Sequence, residues 1–241
     1  MVWMIELEYQ DRGTPRFALD PFEDSPSPSN NFGFSRGYWV DPARQPRSGQ
    51  QTTRKKIPDI FPLPGLNAVR QRFKDLVEEF EPGVHQFMPL VLRDKDGKQI
   101  DDQFYVFNCT VSFDAILVRE MGLEPVQEGK EPPDYHFYSH NKIFVSRPRI
   151  EGHHLWMGHH LRPVGTWVFI SDELHSEMKN RKIRYFKEEH PDVLDVPWRA
   201  EEQIKPILDW EASHPVEQWT AASRIEKELK GSGARSSAGA A

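Results

Sequence analysis

The chain carries one cysteine, Cys109, in 241 residues, so no internal disulfide can form. Stability must then come from burial and hydrogen bonding, which suits a reducing compartment. Cys109 lies in a strand-like apolar run without basic neighbours, and this reads as core and not as an activated thiol. No stretch approaches the ~20 apolar residues a membrane span needs, so no membrane partner is expected. The first ten residues include Glu6 and Glu8 and lack a basic start followed by an apolar run, so no secretory leader is expected there and the cytoplasm is the expected location. Neither a phosphate-cradling G-x-x-x-x-G-K loop nor a G-x-G-x-x-G turn is present, nor the H-E-x-x-H of a metalloprotease helix. Nucleophilic catalysis is not expected, and no cofactor is implied.

Excess positive charge is also missing. The formal net charge is −6, and a general nucleic-acid binder needs surplus Lys and Arg for phosphate contacts, so no nucleic-acid partner is expected. Aromatics are plentiful: fifteen Phe and seven Trp supply bulk for a core.

Residues 66–108 form the most ordered-looking stretch. Leu66, Val69, Phe73, Leu76, Val77 and Phe80 recur at steps of three and four, which predicts an amphipathic helix from residue 66 with Asn67 as its N-cap. Pro82-Gly83 ends it. Two apolar runs, residues 85–93 and 99–111, then flank the turn Asp94-Lys95-Asp96-Gly97, which predicts a hairpin. Pro89 points to an edge or a bulge in its first strand.

Around this unit the pattern is looser. Residues 2–9 suit a first strand. Residues 11–64 are rich in proline, glycine and serine and read as a long irregular region, with room for short strands around Phe32-Gly33-Phe34 and Tyr38-Trp39-Val40. Further strands are expected near residues 135–138, 142–145, 155–157, 166–170 and 182–188. A helix is expected at residues 172–180, with Ser171 as N-cap and Asp172 and Glu173 at its positive end. Residues 198–230 look helical, interrupted at Pro206 and Pro215. The small polar tail 231–241 is expected to be disordered. The whole reads as an α+β fold: mostly antiparallel sheet with a few helices packed on it, in one domain over residues 1–230.

Three groups of side chains are candidates for function. Residues 73–102 hold eight carboxylates against four cations. Of these, Glu78, Glu79, Glu81, Asp94, Asp96, Asp101 and Asp102 are candidates for an acidic face that steers a basic partner. The second group is histidine-rich. His136, His140, His153, His154, His159 and His160 account for six of the ten histidines. A metal site would draw on His136, His154 and His159, although neighbours on a strand point to opposite faces and no carboxylate sits between the pairs. The third is a basic loop, Arg36 to Lys56, which suits a solvated loop or a contact for an acidic partner.

The run FKDLVEEFEPGVHQFMPLVLRDKDG, with His154-Leu155-Trp156 and Phe169-Ile170-Ser171-Asp172-Glu173-Leu174 further on, resembles a bacterial immunity-protein family of polymorphic toxin systems, immunity family eleven. The resemblance covers about residues 57–186 and rests on structural residues without a catalytic signature. It implies a non-enzymatic protein that binds a cognate toxin in the cytoplasm and blocks it by occlusion. The alternative is a metal-dependent enzyme built on the His136 to His160 region. An adaptor that binds through the basic loop is the third reading.

Overall fold

The computed structural model describes residues 1–7, 13–21, 37–126, 133–137, 142–163 and 167–214. Two helices lie between two sheets. The larger sheet is built from β2 (Phe17–Leu19), β3 (Ser48–Gln51), β4 (Ile60–Leu63), β5 (Leu66–Arg70), β6 (Gln86–Arg93) and β7 (Phe104–Asn108), in the order β2-β3-β6-β7-β5-β4. Its pairings are antiparallel except β3 with β6. The smaller sheet is antiparallel, with β11 (Lys187–Glu189), β1 (Val2–Glu6), β10 (Trp167–Ser171) and β9 (Leu155–Trp156) in that order. A parallel pair, β8 (Phe144–Ser146) with β12 (Asp192–Leu194), stands apart. The α+β class with mostly antiparallel sheet is as the sequence indicates.

Each sheet buries both faces, and strand alternation shows how. In β10, Val168 and Ile170 face the helices while Trp167 and Phe169 face the far side. In β5, Val69 faces the helices and Leu66 and Ala68 face away. The central layer joins α1 (Gln71–Phe80), through Phe73, Leu76 and Val77, to α3 (Asp172–Asn180), through Leu174 and Met178. Cys109 is buried in this layer, and desolvation pushes its thiol far above the usual range, which fits a core residue. The outer layer over the smaller sheet includes α5 (Lys205–Ser213) through Ile207, with α4 (Ala200–Gln203) just before it and the one-turn α2 (Arg147–Ile150) after β8.

Several expectations need correction. Leu66 to Arg70 is strand, not helix, and α1 starts at Gln71 with Arg70 at the cap position and no side-chain cap bond. Leu66 and Val69 fit a helical step of three, but β5 is buried on both faces and so carries apolar residues on either side without alternation. The decisive signal is Pro64-Gly65, where Gly65 at φ 69° turns β4 back as β5. The stretch expected to be irregular up to Pro64 contains β2, β3, β4 and a 3-10 turn at Pro42–Arg44. Tyr38-Trp39-Val40 is not a strand, and Phe32-Gly33-Phe34 lies outside the described residues. The strand expected at 182–188 shrinks to β11, because Lys182 takes φ 55° and Ile183 N–H still donates to Met178 O at 2.9 Å, closing α3. Pro206 does not interrupt a helix. It sits in the first turn of α5, where its missing N–H costs nothing, and the break falls at Ile204. The expected tail, 231–241, lies outside the described residues.

Pro89 behaves as its chemistry requires. Val91 N–H, two residues on, points outward to Arg47 O at 2.9 Å, so Pro89 would aim its N–H to the same side. β3 pairs only with Val91 to Arg93, so the imino nitrogen meets no partner strand. The helix at 172–180 forms as expected, and Ser171 Oγ accepts from Leu174 N–H at 3.2 Å.

Candidate functional site

The seven candidate carboxylates do not form one free acidic face. Glu79 is held by Arg181 through two hydrogen bonds of 2.7 and 2.6 Å, which tie α1 to the end of α3. Asp96 takes Arg54, and Asp102 takes Arg70. Asp94 Oδ1 accepts the Asp96 and Lys98 N–H groups and shapes the turn. Glu78 accepts from Gly83 N–H at 3.0 Å, just where Gly83 adopts φ 70° to reverse the chain. Asp101 is exposed. Glu78, Glu79 and Glu81 stand before β6 and Asp94 and Asp96 after it, so an eight-residue strand, about 26 Å, separates them.

Glu81 turns inward. Its Oε1 accepts His154 N–H at 2.8 Å and Leu155 N–H at 3.3 Å, and its Oε2 meets His85 Nε2 at 2.6 Å. Burial raises its pKa, but the His85 and backbone donors outweigh burial and hold it below the usual carboxylate range. Next to His85, Gln86 bonds both ways with Val40, N–H to Oε1 and Nε2 to carbonyl, each at 2.9 Å. Asn108 donates to Tyr38 O at 2.7 Å. Gln86 and Asn108 thus fasten residues 38–40 onto the larger sheet.

The histidines disperse. His153 packs on Phe113, with ring centroids 4.5 Å apart. Ser171 Oγ, which accepts from Leu174 N–H, also hydrogen-bonds His154 Nδ1 at 2.9 Å. His159 lies near Ser112, and His160 Nδ1 donates to buried Asp114 at 2.7 Å. His136 is half-buried, and His140 lies outside the described residues. Among the described residues no group of three or more His, Cys, Asp or Glu converges as metal ligands, so His136, His154 and His159 are not brought together.

The G-x-S-x-G spacing does occur once, from Gly33 to Gly37, which the reading of the sequence passed over. A nucleophile elbow requires a helix directly after it, and residues 38–41 are irregular and lead only into the 3-10 turn. Ser35 itself lies outside the described residues.

A third cluster had no clear signal in the sequence. Trp3 stacks on His175 at 3.8 Å and donates to Asp172 at 3.1 Å. His175 Nε2 and Lys179 Nζ each meet Glu188 at 2.9 Å, and Tyr185 hydroxyl donates to the same carboxylate. Burial opposes ionisation of Glu188, but these three donors bring its pKa down to about 2. A carboxylate with a depressed folded pKa contributes stability above its unfolded value, near 4.3, and loses it as pH falls toward the folded one. Glu188→Gln should therefore lower the urea midpoint at pH 7, with the gap to wild type closing between pH 4 and pH 2. An equal gap at both ends would contradict this.

The architecture is two sheets clamped on paired helices, with the polar clusters described above occupied in joining elements. A family model described as the immunity protein family Imm11 matches residues 12–189, and the chain belongs to that family. The match starts well before residue 57, where the sequence resemblance was placed. The structure explains this, because β2 and β3 complete the larger sheet. No curated protein matches the chain. Among the described residues no helix is long and apolar enough to cross a membrane.

Proposed function

We propose that this protein neutralises a cognate bacterial toxin by binding it in the cytoplasm and covering its working surface. The family match over residues 12–189 carries the reading. The dispersal of the histidines supports it, since the metal-enzyme alternative needs ligands that converge. Occlusion requires no chemistry, only an interface of about 1,200–2,000 Å² with a few anchoring side chains. Of the acidic candidates, Asp101 and the turn residue Asp94 carry no cation partner among the described residues, and they suit rim contacts that speed association.

The test is co-expression with the toxin encoded beside this gene. Growth should be rescued, and the two purified proteins should co-elute as a stable complex. Unrelieved toxicity together with no complex at micromolar concentration would reject the reading.

A further inference from the structure

Two basic runs far apart in the sequence meet on one side of the molecule. Arg54, Lys55 and Lys56 precede β4, and Lys179, Arg181, Lys182 and Arg184 close α3. Backbone bonds stitch them together. Asp59 and Ile60 N–H donate to Arg184 O at 2.8 and 3.1 Å, and Arg184 N–H donates to Asp59 Oδ2 at 2.7 Å. Between the runs opens a cleft of about 520 Å³, with Lys56, Lys179 and Arg184 on its walls and Ile57, Ile183 and Phe186 among its apolar lining.

The charge here is not balanced locally. Lys55, Lys56, Lys182 and Arg184 are exposed and form no ion pair among the described residues. Within the two runs only Arg54, Lys179 and Arg181 are matched, to Asp96, Glu188 and Glu79. The cleft's own carboxylate, Glu188, already holds Tyr185, His175 and Lys179. Asp59 is buried and shared between Arg184 N–H and Arg72. Burial acts most against the charge on neighbouring Arg70 and Asp59 favours it, while Arg72 and Arg184 both repel it, so like charges stand close together on this side of a chain that is acidic overall. An incoming anion would relieve that crowding, and the apolar lining offers burial beside it.

We propose that this cleft receives an acidic segment of the toxin, with carboxylates against Lys56 and Arg184 and an apolar side chain over Ile183 and Phe186. The inference rests on the immunity reading and names the partner's chemistry. It also relocates the charge that matters. Arginines take up Glu79, Asp96 and Asp102 of the acidic stretch, whereas Lys56 and Arg184 at this cleft form no ion pair among the described residues.

The experiment titrates the full chain, wild type and Lys56→Glu/Arg184→Glu, with the purified toxin domain from the neighbouring gene, at low and at physiological salt. Both positions are exposed, and circular dichroism checks the fold. The double variant should bind about 100-fold more weakly and with a flatter salt dependence. Lys205→Glu, exposed on α5 in the outer layer over the smaller sheet, should bind like wild type. Changing one acidic residue of the toxin to lysine should partly restore binding to the double variant. Equal binding by wild type and the double variant would overturn the cleft assignment and leave the immunity reading intact. Failure of wild type to bind would overturn the immunity reading itself. Wild type is also titrated with inorganic phosphate and with a short oligonucleotide. Saturable binding of either that Arg184→Glu abolishes, with toxin binding unchanged, would assign the cleft to a phosphate ligand and reject the proposal.

Discussion

Asp114→Ala should destabilise the protein by about 3–5 kcal/mol, because it strips the acceptor from three backbone N–H groups and an imidazole at once. Asp114 is 4% exposed. It accepts the N–H groups of His159, His160 and Leu161, each at 2.9 Å, and the His160 Nδ1 at 2.7 Å. No other side chain among the described residues organises this turn so fully. Gly158 tightens it further, since an added Cβ there would sit 2.0 Å from Leu161 O. Burial raises the Asp114 pKa, but the His160 and Leu161 donors hold it below the usual value. Burial lowers that of His160, but Asp114 and then Glu211 lift it above the usual value. The signs define a window. The carboxylate's contribution is present above the ordinary carboxylate range and fades as pH falls through its lowered pKa. The imidazolium's contribution is present below the ordinary histidine range and fades as pH rises through its raised pKa. Urea unfolding of wild type, Asp114→Ala and Asp114→Asn from pH 4 to pH 9 checks both parts. Asp114→Asn keeps the volume and should fall between the other two, with the alkaline decline much reduced. A loss under about 1 kcal/mol for Asp114→Ala would mean that the turn holds without its carboxylate.

The same loop shows what the sequence could convey. HHLWMGHH advertises metal-binding chemistry by composition alone, yet each ring serves a different neighbour. Those neighbours, Phe113, Ser171, Ser112 and Asp114, lie up to 47 positions away, and no local pattern marks them. Local signals did carry α3 with its Ser171 cap, the β6–β7 pair and the strands β1, β8, β9 and β10, because caps, turns and β-branched runs act over a few residues. The start of α1 failed for a related reason. Leu66 and Val69 stand at a helical step, but a strand buried on both faces needs no alternation, and pairing of β5 with β4 and β7 decides for strand. Charge was the least legible. The acids of residues 73–102 cluster in sequence, but their arginine partners come from positions 54, 70 and 181, so the surplus on paper is largely cancelled in space. The basic cleft is the converse case. The first run is visible only as the end of the basic loop Arg36 to Lys56 and the second not at all, and the bonds between Asp59 and Arg184 bring them together.

Glu81→Ala is the second change with a large expected cost, again about 3–5 kcal/mol, since it leaves a buried imidazole and two backbone N–H groups without an acceptor. Its position explains the spacing in EPGVH. α1 ends at Phe80, and Gly83 at φ 70° swings the chain back, so His85 comes within 2.6 Å of the carboxylate four residues earlier. Thr110 N–H donates to His85 Nδ1 at 3.3 Å, so that nitrogen carries no proton and Nε2 is the donor to Glu81. The carboxylate's other oxygen takes the first N–H groups of β9. One side chain thereby joins the end of α1, the exit of β7 and the edge of the smaller sheet. Glu81→Gln keeps one acceptor and should cost less, about 1–3 kcal/mol. Hydrogen exchange separates this linking role from a general loss of stability. In Glu81→Ala the amides of His154 and Leu155 should exchange well ahead of those in β10 and α1, because β9 is held on one side only by β10. Uniform acceleration across β9, β10 and α1 would mean that Glu81 contributes to the core as a whole and does not pin this edge.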